Sequence, residues 1–420
     1  MFNTILKFFQ SHKPDIIVQA PSRINIINPL DAVEGDFWMP SVAIIGINNP
    51  LSAFLYIKRT EAPSRVILYK IITKFNKYSI EIEQEEDLSK DIEEVKKKMN
   101  DDLKLIYASI YRFYLTNSNF FNRFLSENFE LGILTTIPRQ SGLGGSAAII
   151  ISILYGLAEY LNLYNDTSCL NEKDYPINKD IIAEMATKIE DEDLNVTAGY
   201  SDRYTITRGG LCFCSYCGKL NHANIGMEPL AVYDKIDDVY NITDLPIIIC
   251  FSGVFHESGN VHGKLRELYL QKNSNIIKNY ERLASLAWRS RFALMRHNWA
   301  LLGELFTENT KIMNMIMKDA GFEYGIGLAN NILIDLIIDH QDVYAAKLTG
   351  AGGGGCVFAL VNPKNIDKVF QDWKERLSEL ILNEKSFKTK FPSYPSEILS
   401  DLKNAQFYQI TIDKTGVKKL

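Results

Sequence analysis

Residues 138–148 read PRQSGLGGSAA and carry the most informative pattern in this chain. Residues 130–137, ELGILTTI, precede this stretch and read as a strand, and an apolar run follows it from about residue 146. We therefore predict a strand, a glycine-rich turn and a helix. Glycines let the backbone turn tightly and approach an anion closely, and the first turn of a helix presents free N–H groups and the positive end of its dipole. Phosphate is the natural ligand of that arrangement.

Three interpretations of this turn compete with one another. Without a ligand it is a tight connection between a strand and a helix. The spacing Gly142-x-Gly144-x-x-Ala147 fits the relaxed dinucleotide fingerprint, but no acidic residue stands clearly at the end of the next strand. The Lys-Ser/Thr ending of a P-loop is absent, which excludes that class of nucleotide hydrolase. If the turn binds phosphate, Ser146 stands where its hydroxyl can reach a phosphate-bound Mg²⁺.

Outside the turn, short apolar and β-branched runs predict strands, and a 3.6-residue period predicts helices. The predicted strands are 16–27 (strand, turn, strand), 41–57, 65–72, 203–216, 246–252 and 344–349. The predicted helices are the later part of 80–104, 178–190 and three patterns within 263–340. A second glycine-rich turn, AGGGG at 351–355, follows the strand at 344–349.

The composition excludes several classes of protein. Of the 420 residues, 46% are apolar and 23% are charged, which excludes a disordered, collagen-like or coiled-coil protein. A net charge of −5 gives no electrostatic basis for binding nucleic acid. No apolar run reaches about 18 residues, so we predict no membrane contact. Residues 2–9 are predicted to form a helix docked on the body, and without a recognisable export signal we expect a cytoplasmic protein.

Six cysteines are too few for a disulfide scaffold in a chain of this length. Cys212, Cys214, Cys217 and His222 have a composition that also occurs in zinc sites. Residues 209–216 read as a strand, however, and alternation along it places Cys212 and Cys214 on one buried face. We favour packing of these thiols in the core over zinc binding, and metal analysis of the protein decides between the two.

Three segments, in this order, resemble the GHMP small-molecule kinases, which include galactokinase, homoserine kinase and mevalonate kinase. The first is PSRINII at 21–27, followed by Pro40. The second is the turn at 138–148, which is similar to the family's PxxxGLGSSAA. The third is KLTGAGGGG at 347–355, which is similar to its KxTGAGxGG. Together these segments span nearly the whole chain.

The resemblance implies an α+β fold of two domains with the active site at their interface. The N-terminal domain, of ribosomal-protein-like α/β type, is placed at 1–225, and a ferredoxin-like α+β domain at 226–420. The implied activity is phosphoryl transfer from ATP to an alcohol group of a small molecule, with Mg²⁺ as the metal and a monomer or homodimer as the assembly.

The resemblance also implies roles for individual residues. Asp202, twelve residues after Glu190, resembles the catalytic partner of the Mg²⁺-binding glutamate in galactokinases, and Arg23 can pair with Asp202 and stabilise charge on the γ-phosphoryl group. Ser146 and Glu190 are the implied metal ligands. The residues implied in nucleotide binding are Pro138, Arg139, Gln140, Ser141, Gly142, Leu143, Gly144, Gly145, Ser146, Ala147, Gly350 and Gly352.

Within the family, IPRQSGLGGSAAI at 137–149 is similar to the IPRQTGLSGSSAI of the glucuronokinases. The strings NPLD at 28–31, AGYSDR at 198–203 and SGNVH at 258–262 are also similar to glucuronokinase strings. The resemblance therefore implies D-glucuronate, phosphorylated on its anomeric hydroxyl, as the substrate. The residues implied in sugar binding are Asn28, Asp31, Arg203, Ser258, His262, Arg266 and Gly353. Arg203, Arg266 or Lys264 would supply the cation for the uronate carboxylate.

One departure from the glucuronokinase pattern bears on the substrate. Where those enzymes have a pair of arginines, this chain reads NTKIMN from Asn309. If the arginines hold the sugar acid, their loss favours galactose or another neutral or amino sugar instead. A non-catalytic sugar or ATP sensor of the galactokinase type is a second alternative, although the retained base and metal ligands favour an enzyme.

Overall fold

The structure is a computed structural model that describes residues 1–27, 33, 37–74, 77–165, 177–215, 231–255 and 258–420. The helices are α1 (Phe2–Ser11), α2 (Ile92–Lys98), α3 (Lys104–Thr116), α4 (Ser118–Ser126), α5 (Gly145–Tyr160), α6 (Lys179–Lys188), α7 (Ser201–Arg208), α8 (Ser258–Leu270), α9 (Ser274–Met295), α10 (Trp299–Asp319), α11 (Leu328–Ile337), α12 (Ile366–Leu382), α13 (Glu384–Lys390) and α14 (Ile398–Leu402). The strands are β1 (Ile16–Asn25), β2 (Met39–Gly46), β3 (Ser52–Arg59), β4 (Arg65–Lys74), β5 (Lys77–Asp87), β6 (Phe129–Thr135), β7 (Leu211–Ser215), β8 (Val232–Lys235), β9 (Ile247–Phe251), β10 (Val343–Leu348), β11 (Cys356–Val361), β12 (Gln406–Ile412) and β13 (Lys418–Lys419). The mixed α+β class is confirmed.

Most strands lie side by side in the order β10-β11-β9-β12-β2-β1-β3-β6-β4-β5. The pairs along this order are antiparallel except for β4 with β6. Strand β12, from near the end of the sequence, lies between β2 and β9 and hydrogen-bonds to both. The two ends of the sequence are therefore joined through one sheet, and a contiguous cluster of buried apolar side chains extends from Ile24 to Phe358.

Strand β1 is continuous, so the turn predicted within 16–27 is wrong. Residues 16–21 pair with β3, and residues 22–25 pair with β2. Pro21 is the last residue paired with β3, so its missing N–H falls where the strand changes partner and does not interrupt a ladder. The change of partner brings Arg23 away from β3 and towards the turn before α5, where its N–H donates to the Leu143 carbonyl (3.1 Å).

Two other sequence-based assignments need correction. Residues 203–216 were expected to be a strand, but 201–208 form α7 and only Leu211–Ser215 form β7. The β-branched residues 205–207 favoured a strand locally, whereas packing of α7 on α5, α6 and β1 decides the helix. Helices α8 to α11 occupy the region in which three helical patterns were expected, because Asn273 and Asn298 each cap a new helix.

The N-terminal helix α1 docks on the body as predicted. Ile5 and Phe9 are fully buried and share a small apolar cluster with Phe54, Tyr56 and Tyr69. The proposed domain boundary between residues 225 and 226 lies outside the described residues. No helix in the described part of the chain is long and apolar enough to cross a membrane.

Candidate active site

The two glycine-rich turns lie against each other. A Cβ atom built on Gly142 would come within 2.8 Å of the Thr349 carbonyl oxygen, and one built on Gly355 would come within 2.6 Å of the Ser141 carbonyl oxygen. The Cys356 N–H donates to that same Ser141 oxygen (2.8 Å). Since Gly142 has φ of +74° and Gly350 has φ of +79°, both turns need glycine for conformation as well as for space. The backbones therefore meet where side chains would keep them apart.

The first turn ends at the N-terminus of α5. Gly144 has left-handed φ and ψ (+77° and +31°), and α5 begins at Gly145. The N–H groups at the start of a helix have no partners within it, so this end of α5 presents donors and a positive dipole. Arg139 and Gln140 are exposed on the same turn, whereas Ala147 and Ser141 are buried. These free donors are of the kind that an anion can accept from, whereas the Leu143 and Ser141 carbonyls of the turn bond to β1 and to the second turn.

Arg23 and Asp202 form a buried ion pair next to this turn. Arg23 Nη2 donates to Asp202 Oδ2, and Arg23 Nη1 donates to the Gly142 carbonyl. Burial tends to raise the pKa of the Asp202 carboxyl, but the neighbouring guanidinium of Arg23, assisted by Arg203, holds that pKa below its ordinary value. Asp202 lies in the first turn of α7.

The second oxygen of this aspartate accepts no hydrogen bond from the part of the chain that the structure describes. Asp202 Oδ1 is buried, and among the described residues it accepts no hydrogen bond, although Oδ2 is held by Arg23. The side chain as a whole keeps 15% of its surface exposed. A charged oxygen left without a donor is costly in a closed core, so a substrate hydroxyl is a fitting occupant.

Glu190 connects the first turn to α7. It lies in a short π-helical turn, Ile189–Asp193, at the end of α6. Its Oε1 accepts from Ser146 Oγ (2.7 Å), and its Oε2 pairs with Arg203. The implied pair of metal ligands is thus brought together at the first glycine-rich turn. Both are hard oxygen donors, which fits the small number of protein ligands that Mg²⁺ accepts.

Arg203 and Arg266, expected to contact the sugar acid, both pair with carboxylates of the protein. Arg203 bonds to Glu190 and donates to the Gly199 carbonyl (3.0 Å). Arg266, on α8, bonds to Asp191 (2.8 Å) and donates to the Ala198 carbonyl (3.0 Å). Lys264, the third cation considered for the uronate, is exposed and lies over the Phe322 ring.

His262, on the same helix as Arg266, borders Asp202. Its Nδ1 atom is buried and makes no hydrogen bond to the described residues. Burial lowers the pKa of His262 to about 4; Asp202 opposes this effect, and the guanidinium groups of Arg203, Arg23 and Arg266 add to it. The imidazole is therefore neutral at physiological pH, and a neutral ring can donate to or accept from a sugar hydroxyl.

This pKa predicts how stability depends on pH. The unfolded chain takes up the His262 proton near pH 6.5, whereas the folded chain does so only near pH 4. The folded state therefore loses stability as the pH falls through this interval, by up to about 1.4 kcal/mol per pH unit. In His262→Gln this part of the slope should vanish. Urea unfolding of both proteins at several pH values across this interval measures the free energy of unfolding. The same pH dependence in the two proteins would contradict the low pKa of His262.

The remaining predicted residues are placed as follows. Asn28 and Asp31 lie outside the described residues, as do Cys217, His222 and the side chain of Ser258. Gly353 donates its N–H to the Ile326 carbonyl (2.8 Å), and Gly352 approaches the same carbonyl. Cys212 and Cys214 are buried in β7, where burial raises the pKa of the Cys212 thiol to about 12.

Three supporting residues escaped sequence reasoning. Asn330 donates to the carbonyls of Ile326 (3.0 Å) and Gly354 (2.9 Å) and so fastens the second glycine turn. Lys347 is fully buried, donates to the Leu348 carbonyl (2.7 Å) and lies over the ring of Phe358. Thr349 accepts the Asn25 N–H (3.0 Å). Lys347 and Thr349 belong to the segment KLTGAGGGG at 347–355, and its resemblance to the family was the sequence signal that could have identified them.

Two family descriptions match the sequence. "GHMP kinases N terminal domain" matches residues 106–210, and "GHMP kinases C terminal" matches residues 290–379. The first range contains the first glycine-rich turn, Glu190 and Asp202. The second ends beyond the glycine turn at 350–355.

Curated relatives and solved structures agree with these matches. Probable glucuronokinase 2 of Arabidopsis thaliana is 27% identical over 57% of this chain, and the match spans 59% of the relative's length. D-glycero-alpha-D-manno-heptose 7-phosphate kinase of Campylobacter jejuni is 27% identical over 64% of this chain and 71% of its own. The structure of Lactococcus lactis galactokinase complexed with galactose superposes with a TM-score of 0.63 at 20% identity, covering 96% of this chain and 95% of that one. The chain has the fold that these kinases share.

Proposed function

The chain belongs to the GHMP kinase superfamily, and we propose that it transfers the γ-phosphoryl group of ATP to the anomeric hydroxyl of a sugar, with D-glucuronate as the first candidate. The observation that carries the proposal is the Asp202 carboxylate beside the N-terminus of α5: Arg23 holds its Oδ2 atom, and its buried Oδ1 atom accepts no hydrogen bond from the described residues. Asp202 would receive the proton of the attacking hydroxyl at that atom. The alternative of a sensor needs no such base.

The phosphate groups would lie along the first glycine turn and the N-terminus of α5. The backbone donors there are pre-oriented, so little reorganisation is needed when ATP binds. The second glycine turn closes on the first through Gly142 and Gly350 and leaves no side chain between them. This close contact would exclude water from the γ-phosphoryl group and thereby limit hydrolysis of ATP.

Ser146 and Glu190 would hold Mg²⁺. The bound ion would neutralise charge on the β- and γ-phosphates, as in phosphoryl transfer generally. Glu190 keeps its orientation because Arg203 bonds its second oxygen. Arg23, with its guanidinium between Asp202 and the Gly142 carbonyl, keeps Asp202 ionised and carries positive charge towards the transferred group.

The sugar would lie between Asp202 and α8. His262 offers its unpartnered Nδ1 atom to a hydroxyl, and Asn28 and Asp31 belong to the implied sugar segment. The proposal of a uronate rests on the similarity to glucuronokinases at 27% identity and on the strings at 137–149 and 258–262. A uronate carboxylate needs a cation or several donors once it is buried.

A neutral sugar or a heptose derivative is the second candidate. Its support is that Arg203 and Arg266 already neutralise Glu190 and Asp191. Lys264 is then the remaining one of the three cations considered for a uronate. The heptose 7-phosphate kinase matches this chain at the same 27% identity.

A comparison of kcat/KM over D-glucuronate, D-galacturonate, glucose, galactose and a heptose phosphate should decide the substrate. For a uronate kinase we expect kcat/KM for glucuronate to exceed that for glucose by about 100-fold. This preference corresponds to about 2.8 kcal/mol, which lies within the roughly 1.5–7 kcal/mol found for close charge pairs at interfaces. Lys264→Met should reduce this preference and leave glucose turnover unchanged. A preference for neutral sugars would overturn the uronate assignment and leave the kinase proposal intact.

Nucleotide binding separates the functional classes. A kinase should bind ATP in the presence of Mg²⁺, show no comparable affinity for NAD, and release ADP only when a sugar substrate is present. Binding of ATP and sugar without any ADP release over the whole panel would instead support the sensor.

A further inference from the structure

We propose that Arg266 is a positioning residue: its ion pair with Asp191 ties α8 to the segment between the metal ligand and the base, and so couples sugar binding on α8 to the placement of Glu190 and Asp202. The inference rests on the proposed function for the roles of those two carboxylates. It departs from the sequence-based assignment of Arg266 to the substrate.

The first observation is the close packing of α8 on residues 196–198. A Cβ atom on Gly259 would come within 3.1 Å of Val196 Cγ1, and one on Gly263 within 3.4 Å of Thr197 Oγ1. Gly259, Gly263 and Arg266 are four and three residues apart, so they share one face of the helix. The glycines allow this face to approach the segment, and Arg266 then reaches it with its guanidinium.

The second observation is the set of bonds around Asp191. Its Oδ1 atom accepts from Arg266 Nη1 (2.8 Å) and from the Ala198 N–H (2.9 Å). Arg266 Nη2 donates to the Ala198 carbonyl (3.0 Å). Both side chains are nearly buried, with 10% of Asp191 and 13% of Arg266 exposed. The pair therefore closes residues 191–198 into a loop whose two ends are held by one guanidinium.

The position of this loop explains why the pair matters for catalysis. Glu190 directly precedes Asp191, and Asp202, the second residue of α7, follows Ala198 by four residues. The loop thus sets the separation between the metal ligand and the base. A shift of about 1 Å in either group is enough to reduce a rate by about 100-fold.

The same helix faces the substrate. His262 lies on α8 one turn before Arg266, and the Asp202 carboxylate is near enough to act on the pKa of its imidazole. A sugar that binds His262 would restrict the position of α8. Helix α8 would then hold the loop at residues 191–198 in place through Arg266. Correct placement of Glu190 would then depend on the sugar, which is a way to limit hydrolysis of ATP when no acceptor is bound.

The test compares Arg266→Gln, Arg266→Lys and Asp191→Asn with the wild-type protein. The control is Arg376→Gln, because Arg376 on α12 likewise bonds to a carboxylate, that of Asp339, and to a carbonyl, that of Leu336 on α11. Two quantities are measured: steady-state kinetics with the best sugar, and the factor by which Mg²⁺ tightens binding of a non-hydrolysable ATP analogue. The second quantity needs no turnover.

If Arg266 positions the loop, Arg266→Gln and Asp191→Asn should both lower kcat and the Mg²⁺ factor by roughly 10- to 100-fold, as for residues that orient metal ligands. Arg266→Lys should recover part of both, and the control should match the wild type. KM for the sugar should change by less than kcat.

Two results would overturn the inference. If Arg266 binds the sugar acid, Arg266→Gln raises KM for a uronate while Asp191→Asn does not. If the pair is only structural, both variants lose thermal stability and keep kcat and the Mg²⁺ factor. Absence of ADP release by the wild type with every sugar would count against the proposed function, and the Mg²⁺ factor would still test the role of Arg266.

Discussion

Asp202→Asn should lower kcat by at least about 100-fold, the usual scale for losing acid–base catalysis by one side chain. The amide keeps the shape of the carboxylate, but it cannot accept the proton of the sugar hydroxyl at the unpartnered Oδ1 position. Coupled-assay kinetics of ADP release measure the effect. Since Asp202 is ionised well below neutral pH, raising the pH should not rescue the variant or change the wild-type rate through this group.

Asp180→Asn is the matched control for this variant. Asp180, on α6, forms an equally close ion pair with Arg208, on α7. We expect it to retain turnover within a few-fold. ATP binding should be nearly unchanged in both variants. Turnover close to wild type in Asp202→Asn would remove Asp202 as the base and leave Arg23 and the metal to account for the rate.

Gly144→Val should weaken ATP binding by at least about tenfold and also lower kcat. Gly144 has φ of +77°, which a β-branched residue adopts only with strain of about 1–3 kcal/mol. Its added Cβ would stand 3.0 Å from Ile206 Cδ1 and 3.3 Å from Arg23 Cγ. The variant therefore distorts the first turn of α5 and displaces Arg23 from Asp202, and titration calorimetry with ATP reports the first effect.

Gly145→Ala is the control that distinguishes an effect on the turn from an effect on the helix. A Cβ on Gly145 would meet Ile137 Cγ2 at 3.5 Å, an ordinary contact. Gly145 already lies within α5, where alanine is the more favourable residue. We expect Gly145→Ala to fold as well as the wild type and to bind ATP within a few-fold. If folded Gly144→Val bound ATP normally, the turn would be structural and the phosphate site would lie elsewhere.

Local patterns were enough to predict the strand and the helix on either side of the first glycine-rich turn. The strand before it and the helix after it follow from short-range periodicity, and β6 and α5 lie where the sequence predicted them. The same reasoning failed for 201–208, because Thr205, Ile206 and Thr207 favour a strand by themselves. Packing of α7 on its neighbours outweighs that preference.

The sequence by itself determined the class of fold, the two glycine turns and the residue types around them, because tight turns and helix starts depend on neighbouring residues. Tertiary structure alone decided which charges meet. It pairs Arg203 with Glu190 and Arg266 with Asp191, and it joins Arg23 to Asp202 across 179 residues of chain. Such pairs depend on distances set by the sheet, where β12 joins the two ends of the sequence, and Coulomb interactions follow distance in space and not separation along the chain.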